Sequence, residues 1–519
     1  MGHTSWDAII IGGGVAGLSA AQMLGRARRR TLVIDAGNPR NRFTDHMHGV
    51  LGHDGIDPQK LLARGRAEAA AYGVVIEPGE VAGVDDQGES MRVRRADGAV
   101  DVTRTVVVTT GIGDELPDIP GLAAQWGRGV LHCPYCHGWE VTGRALGVLA
   151  TSPSSIHQIE LVRQWSGDVV AFTAEAGTLE PDVAERLSAR GIRAVEAPVV
   201  EVVTHDERLV AVRTADGSVH EIDALFTAPV PRLDDGFLAG LDLARAEGAI
   251  VVDARGATSH PRVFAAGNVT APYGNVPLSM GAGSMAGAGA NAVLVGEDGA
   301  RAVAAERRNA HWEAHYATEE KVWSGRVNAT FAGVAESLTS GTSTGTALEV
   351  GSGEGADAVW LAERGWQVTG LDVSATAVRR ATEAARARGL GEDRVVFLAC
   401  DAAAALPEGP FDLVTASFLH SWEPDFPRIE ILRAASARVA PGGALLVISH
   451  AAPPPWAREM AHEHPAMLSP AEELALLAPD PREWTVEIAE VRSRAATSPD
   501  GEPAHLDDGL LLLRRTPAA

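Results

Sequence analysis

Cysteine is scarce, with three in 519 residues. That number excludes the disulfide framework of a small secreted domain. Two of the three, Cys133 and Cys136, share the run "LHCPYCHGWE". Such a C-x-x-C pair reads as a reactive dithiol in a reducing compartment, with the cytoplasm as the expected location. Lysine is scarcer still: only Lys60 and Lys321 occur, and the remaining basic residues are arginine, a coding bias rather than a functional signal. Basic residues number 45 against 68 acidic ones, and a net charge of −23 without a basic run excludes a nucleic-acid partner. No apolar run approaches the ~20 residues that cross a bilayer, so no membrane partner is expected. The opening "MGHTSWDAIIIGGG" enters a strand at once and leaves no room for a signal peptide. What remains is a globular composition, 45% hydrophobic and 22% charged. At roughly 150 residues per domain the chain has room for three or four.

The stretch "WDAIIIGGGVAGLSAAQMLGRARRRTLVIDAG" reads as an apolar strand, a glycine turn, an Ala-rich helix and a second strand ending in Asp35. This is a dinucleotide-binding βαβ unit. Gly12 permits the tight turn, Gly14 lets a pyrophosphate approach the backbone, and Gly17 lets the helix pack on the sheet. Asp35 is placed to accept from a ribose hydroxyl.

A second element, "HPRVFAAGNVTAPYGNVPLSMGAGSMAGAGANAVLV", puts a short strand before Gly267-Asn268 and a small-residue helix after it. Together with "TRTVVVTTGIGDELPDIPG" at 103–121 it resembles the two-part FAD domain of thioredoxin-reductase-like flavoproteins. The resemblance implies that Gly267 and Asn268 contact the flavin ribityl chain. Asn268 stands where that family carries Asp, and an amide still bonds a hydroxyl. The implied division is 1–114 for the first FAD part, 115–244 for an inserted pyridine-nucleotide-type domain and 245–297 for the second FAD part. Within the insert, "RALGVLATSPSSIHQIELVRQWSGDVVAFTAEAGTLEP" keeps the strand-loop-helix-strand order. Its loop "ATSPSS" has no glycine for close approach to a pyrophosphate, and "TAEAG" has no arginine for a 2′-phosphate. Both omissions speak against NADPH.

The same resemblance assigns roles to the dithiol. Cys136 would face the flavin and Cys133 would exchange with the substrate sulfur. His137 follows the pair where the family often has an Asp proton donor, and an imidazole returns a proton at neutral pH. Competing readings are a glutaredoxin site, for which no thioredoxin-fold pattern surrounds the pair, and a zinc site, for which no second C-x-x-C exists. No metal is expected. Cys400, alone beside Asp401, reads as buried filler.

Residues 298–310, charged and Ala-rich, read as the end of the flavin-domain helix plus a linker. From 311 to 519 a second unit begins. "TALEVGSGEGADAVWLAERGWQVTGLDVS" gives a strand, Glu349-x-Gly351-x-Gly353-x-Gly355, a helix, and a strand ending in Asp372. "RVVFLACDAAAALPEGPFDLVTASFLHSW" and "VAPGGALLVISH" add three more strands, with Asp401 near the end of the first. "SLTSGTSTGT" at 337–346 reads as a surface loop, and the tail from 452 is uninformative. Over about 311–451 this unit resembles class I S-adenosylmethionine-dependent methyltransferases, especially the tellurite and thiopurine branch. Glu349 and the three glycines would then serve the methionine moiety, Asp372 the ribose and Asp401 the adenine amine. His420 and His450 are candidates to take a thiol proton from the methyl acceptor. Trp312, Tyr316, Trp323 and Trp422 are candidates for an apolar acceptor pocket, with core packing as the alternative.

The expected fold class is α/β, a two-domain thioredoxin-reductase-like FAD/NAD(P)-type flavoprotein followed by a Rossmann-like class I methyltransferase domain. The flavin half resembles the dithiol oxidases of the gliotoxin and holomycin pathways. That implies a bifunctional enzyme: a small-molecule dithiol is oxidised to a disulfide with oxygen as acceptor, and an S-adenosylmethionine-dependent transferase methylates thiols. A homodimer is the implied assembly. Two alternatives stay open: a disulfide reductase fed by NADPH or another donor, and a redox-sensing flavin module that gates methylation.

Overall fold

The runs "DAIII", "TLVID" and "TRTVVV" each hold three or four consecutive apolar residues, as strands covered on both faces do. In the computed structural model, which describes residues 5–318, 321–339, 345–421, 426–456, 467–498 and 501–517, they form one parallel sheet. Strand Ser5–Ile11 lies between Thr31–Asp35 and Val100–Val108. Val75–Pro78 extends the sheet beyond Thr31–Asp35, and Val263–Ala265 joins Val100–Val108. Alternate side chains serve opposite faces. Ile9, Ile11, Ile34 and Val108 meet one core, while Ala8, Ile10, Val33 and Val107 meet the other beneath helix Val15–Arg26.

The chain divides into two units, Met1–Glu297 and Asp298–Ala519. Inside the first, the insert has its own parallel sheet in the order Ile192–Val195, Val169–Phe172, Leu146–Leu149, Ala224–Thr227, Val130–Leu131. Antiparallel pairing of Gly113–Glu115 with Val230–Arg232 closes it. The return to the FAD part thus comes earlier than 244. Leu238, Leu241 and Leu243 pack in the same core as Ile9 and Val84, so 233–244 belongs with the first sheet.

The stretch 298–310, expected as a linker, lies wholly within one helix, Val276–Ala317. It is rich in alanine and arginine and free of proline, a composition that propagates helix. By length and composition this helix could cross a membrane. Its small residues instead make close packing: Ala286 and Ala290 are fully buried, and a Cβ on Gly283 would lie 2.0 Å from the Ala16 carbonyl oxygen.

In the second unit seven strands stand in the order Val395–Ala399, Gln367–Asp372, Thr346–Val350, Phe411–Ser417, Val439–His450, Pro503–Arg515, Trp484–Thr497. Counted along the chain this is 3-2-1-4-5-7-6, with the last two antiparallel to their neighbours. The tail that carried no readable motif therefore completes the sheet. The expected loop at 337–346 begins inside helix Ala329–Thr339, and its residues 340–344 lie outside the described residues.

Candidate active sites

The first glycine turn opens on a cavity of about 1090 Å³ that runs from Asp35 past Gly14 and Asn268 to Cys133, Cys136 and His137. Gly12 sits at φ +105°, where a Cβ would come within 2.5 Å of the Thr109 carbonyl oxygen. At Gly17 a Cβ would lie 1.9 Å from the Gly12 oxygen, so this glycine sets how closely the helix meets the sheet. A Cβ on Gly14 meets nothing within 4 Å, which leaves the backbone open to a ligand. Asp35 accepts from the amides of Gly13 and Gly37 (3.0 and 3.1 Å) and from Arg66 (2.9 Å). Burial raises this carboxyl, but Arg66 and the two amides outweigh it and hold it below its ordinary range. The cavity and its open glycine backbone fit FAD, with Asp35 at the ribose end.

Asn268 is held by its own loop. Its Nδ2 donates to the carbonyls of Ala271 (3.0 Å), Pro272 (3.3 Å) and Gly274 (2.8 Å). Three carbonyl acceptors require a donor there, which a carboxylate is not. Gly267 precedes it at φ +83° on the cavity wall.

Cys133 caps the one-turn helix Pro134–His137, and the Cys136 thiol donates to its sulfur across 2.7 Å. That hydrogen bond lowers the Cys133 pKa to about 7 against the cost of burial; the Cys136 and Tyr135 amides and the Arg40 charge assist. Cys136 moves upward, because its proton is shared with a neighbouring thiolate and its site is buried. Of the two sulfurs Cys133 thus loses its proton the more readily and Cys136 keeps it. His137 is pushed down by burial and by the His46 and His48 rings, against the opposing pull of Glu140, so it is neutral and able to accept.

Sequence reading passed over the partners of His137. His46 faces it with ring centroids 6.4 Å apart, and His48 lies 5.3 Å from His46. The signal was the H-x-H of "DHMHG": Met47 between them is buried, so both imidazoles leave the other side of an extended segment.

The insert's loop is closed on itself. The Thr151 amide donates to Ser155 Oγ (3.1 Å), and the Thr151 hydroxyl donates to the Ala228 carbonyl (3.1 Å). Pro153 contributes no amide. Past strand Val169–Phe172 stands Glu175, with no arginine before Pro181.

In the second unit, Gly351, Gly353 and Gly355 form the loop between strand Thr346–Val350 and helix Ala356–Glu363. Asp372 accepts from the Gly353 and Ser374 amides (2.8 and 2.9 Å); burial outweighs both and lifts its pKa to about 6. Glu349, fully buried beside Asp357, has its carboxyl raised well above its ordinary value by burial and by that neighbouring charge. These residues fit the methionine and ribose ends of S-adenosylmethionine. Asp401 is already engaged: Arg308 reaches its Oδ2 at 2.6 Å and the Ala403 amide its Oδ1 at 3.0 Å. Arg308 comes from the segment expected as a linker. A charged residue in an Ala-rich run reads as solvated surface until the fold turns it inward.

Tyr316 is buried, accepts from Trp323 Nε1 (2.9 Å) and lies 6.0 Å from Trp312, ring to ring. A Cβ on Gly353 would stand 3.2 Å from the Tyr316 hydroxyl, so these aromatics crowd the glycine loop. Trp422 lies outside the described residues. His420 and His450 are brought together as a stack, 5.3 Å apart and 13° from parallel, with Phe418 4.5 Å from His450. Burial, Arg428 and His450 drive His420 down to about 3. His450 is lowered by burial but is supported by Asp508. Cys400 is half-buried, its thiol raised by burial and packed against the core.

Comparison with known proteins agrees with this anatomy. A family model described as pyridine nucleotide-disulphide oxidoreductase matches residues 6–288, more than half of the chain. The chain belongs to the pyridine nucleotide-disulphide oxidoreductase family. A methyltransferase-domain model matches residues 347–443. Thioredoxin reductase tcpT of Claviceps purpurea (strain 20.1) is 32% identical over 308 residues, covering 56% of this chain and 95% of that protein. A probable thioredoxin reductase of Arthroderma benhamiae is 34% identical over 174 residues, which is 32% of this chain and only 43% of that protein. The crystal structure of HlmI is 44% identical with a TM-score of 0.57, covering 59% of this chain and 97% of that one. An oxidoreductase from Agrobacterium tumefaciens is 37% identical with a TM-score of 0.54, covering 56% of this chain and 99% of that one. This oxidoreductase family member is thus a thioredoxin-reductase-like enzyme with a methyltransferase domain. The family implies FAD for the first unit and the domain implies S-adenosylmethionine for the second.

Proposed function

We propose that the flavoprotein unit oxidises the dithiol of a small cytoplasmic metabolite to a disulfide, with oxygen as final acceptor, and that the second unit S-methylates thiols. The closed loop at 151–155 carries the first half. Where a pyridine nucleotide needs free backbone amides, Thr151 and Ser155 bond each other and Pro153 has none to offer. The loop thus offers a NADPH phosphate fewer free donors, which supports the substrate as the source of electrons. Bound FAD supplies a two-electron acceptor beside the dithiol. In its disulfide form the pair is attacked at Cys133 by a substrate thiolate, and Cys136 leaves as a thiol after taking a proton. The second substrate thiolate then displaces Cys133, which leaves as a thiolate stabilised at about pH 7.

For methyl transfer, positioning an electron-rich sulfur in line with the sulfonium carbon does most of the work. Burial, Arg428 and His450 hold His420 down at about 3, whereas His450, also lowered by burial, is lowered less and has Asp508 beside it, which favours His450 as the proton acceptor.

The relatives named thioredoxin reductase favour a second reading, NADPH-fed disulfide reduction. One anaerobic cuvette separates the two. Dithiothreitol is expected to bleach the flavin at a catalytic rate and NADPH is not. Bleaching by NADPH alone refutes the oxidase. Incubation with S-adenosylmethionine and candidate dithiols, with mass detection of thioethers, tests the second half.

A further inference from the structure

Re-forming the Cys133–Cys136 disulfide removes two electrons and two protons from the pair. In the dithiol-oxidation reading, on which this inference rests, the electron pair goes to bound flavin and on to oxygen. The thiols lie inside a cavity, so their protons need side chains that connect it with solvent. Cys136, His137 and His48 all line that cavity, and His46 beyond them is exposed. The His137 and His46 rings stand 6.4 Å apart and edge-on at 75°, and His46 and His48 5.3 Å apart at 70°. Each gap is of a size one bridging water spans.

His48 is held at both nitrogens, by Glu140 Oε1 at 3.1 Å and by Asp54 Oδ1 at 3.2 Å. The imidazole is thus pinned between two carboxylates, with one ring nitrogen toward the dithiol segment and the other toward the surface. Glu140 rides on the dithiol segment, and its second oxygen, Oε2, is buried without a hydrogen-bond partner. Asp54 is largely exposed, with 71% of its side chain in solvent. Basic and acidic groups therefore descend from the dithiol to the surface without a break.

We propose that His137, His46 and His48 form a proton outlet from the dithiol to solvent, positioned by Glu140 and Asp54. His137 takes a proton from the cysteine pair and passes it to His46, which releases it to water. His48, pinned between Glu140 and Asp54, holds the His46 ring edge-on beside it.

The test compares the wild-type holoenzyme with His46→Gln, His48→Gln, the double variant and Glu140→Gln. Anaerobic stopped-flow mixing with dithiothreitol follows flavin bleaching, and an indicator dye in weak buffer follows proton appearance. In wild type the dye signal keeps pace with bleaching. In the double variant both are expected to slow at least about tenfold, and added imidazole to restore them. Alkylation of the reduced thiols across pH should be unchanged, since the outlet does not set the Cys133 pKa. Rates within twofold of wild type overturn the outlet, as does slowing that imidazole fails to rescue while the alkylation profile shifts. If dithiothreitol does not reduce wild-type flavin, dithiol oxidation itself fails. The same variants are then compared in NADPH-driven thiol formation, where equal proton uptake overturns the outlet independently.

Discussion

Replacing Asn268 by the Asp that related flavoproteins carry should damage this protein. The Asn268 amide gives both of its N–H groups to three carbonyls at 2.8–3.3 Å. Asn268→Asp removes both donors, at about 0.5–1.5 kcal/mol each, and sets a carboxylate against carbonyl oxygens. The new acid escapes by protonating, which from an ordinary pKa costs about 4 kcal/mol at pH 7 and so caps the penalty. The net cost is about 2–4 kcal/mol, falling on the loop 271–275 that lines the cavity. If loop order is coupled to cofactor binding, the FAD dissociation constant rises roughly 30- to 1,000-fold. Titration of apoprotein with FAD, read by quenching of flavin fluorescence, measures this. Affinity should recover as pH falls toward 5, because the protonated acid regains one donor. An Asn268→Asp protein that binds FAD as tightly as wild type at pH 7 refutes the reasoning.

Iodoacetamide should alkylate Cys133 in the reduced protein with half-maximal rate near pH 7, and Cys136→Ala should move that midpoint upward by removing the thiol donor; liquid chromatography with mass detection reads both. Gly17→Ala is expected to abolish soluble, flavin-loaded protein, because its Cβ meets the Gly12 oxygen at 1.9 Å. Gly14→Ala should fold with an unchanged melting temperature yet load less flavin. Glu349→Gln, isosteric with the protonated acid that burial favours, should leave stability within about 1 kcal/mol by denaturant titration. His450→Gln should lower kcat for thiol methylation at least about tenfold and His420→Gln less than threefold, because His420 is held down at about 3 while His450 is lowered less and is supported by Asp508.

Local patterns with their own geometric necessity were legible in the residues. Gly12 and Gly17 are fixed by a turn and a close approach that no larger side chain permits, Gly14 keeps the backbone open to a ligand, and each lies within ten residues of the strand it serves. Glu349, the three glycines after it and Asp372 follow the same logic at the second loop. Both units and the order of the first five strands of the second could be written down from such runs. Its last two strands could not: "WTVEIAEVRSRAAT" reads as mixed polar sequence, and only its partner, with Leu510–Leu513 buried between neighbours, shows an apolar run.

Tertiary structure alone decided which distant groups meet. His46 and His48 come to the dithiol from ninety residues away, Arg308 reaches Asp401 across 93 residues, and His420 stacks on His450 from the adjacent strand. The sequence by itself determined what chemistry is present: a dithiol, two nucleotide-type glycine loops and a loop without glycine where a third was expected. The fold determined which cysteine loses its proton the more readily, because that depends on a hydrogen bond between the two sulfurs and on the depth at which each is buried. Charge and burial at a point are sums over everything nearby in space, and no one-dimensional pattern contains them.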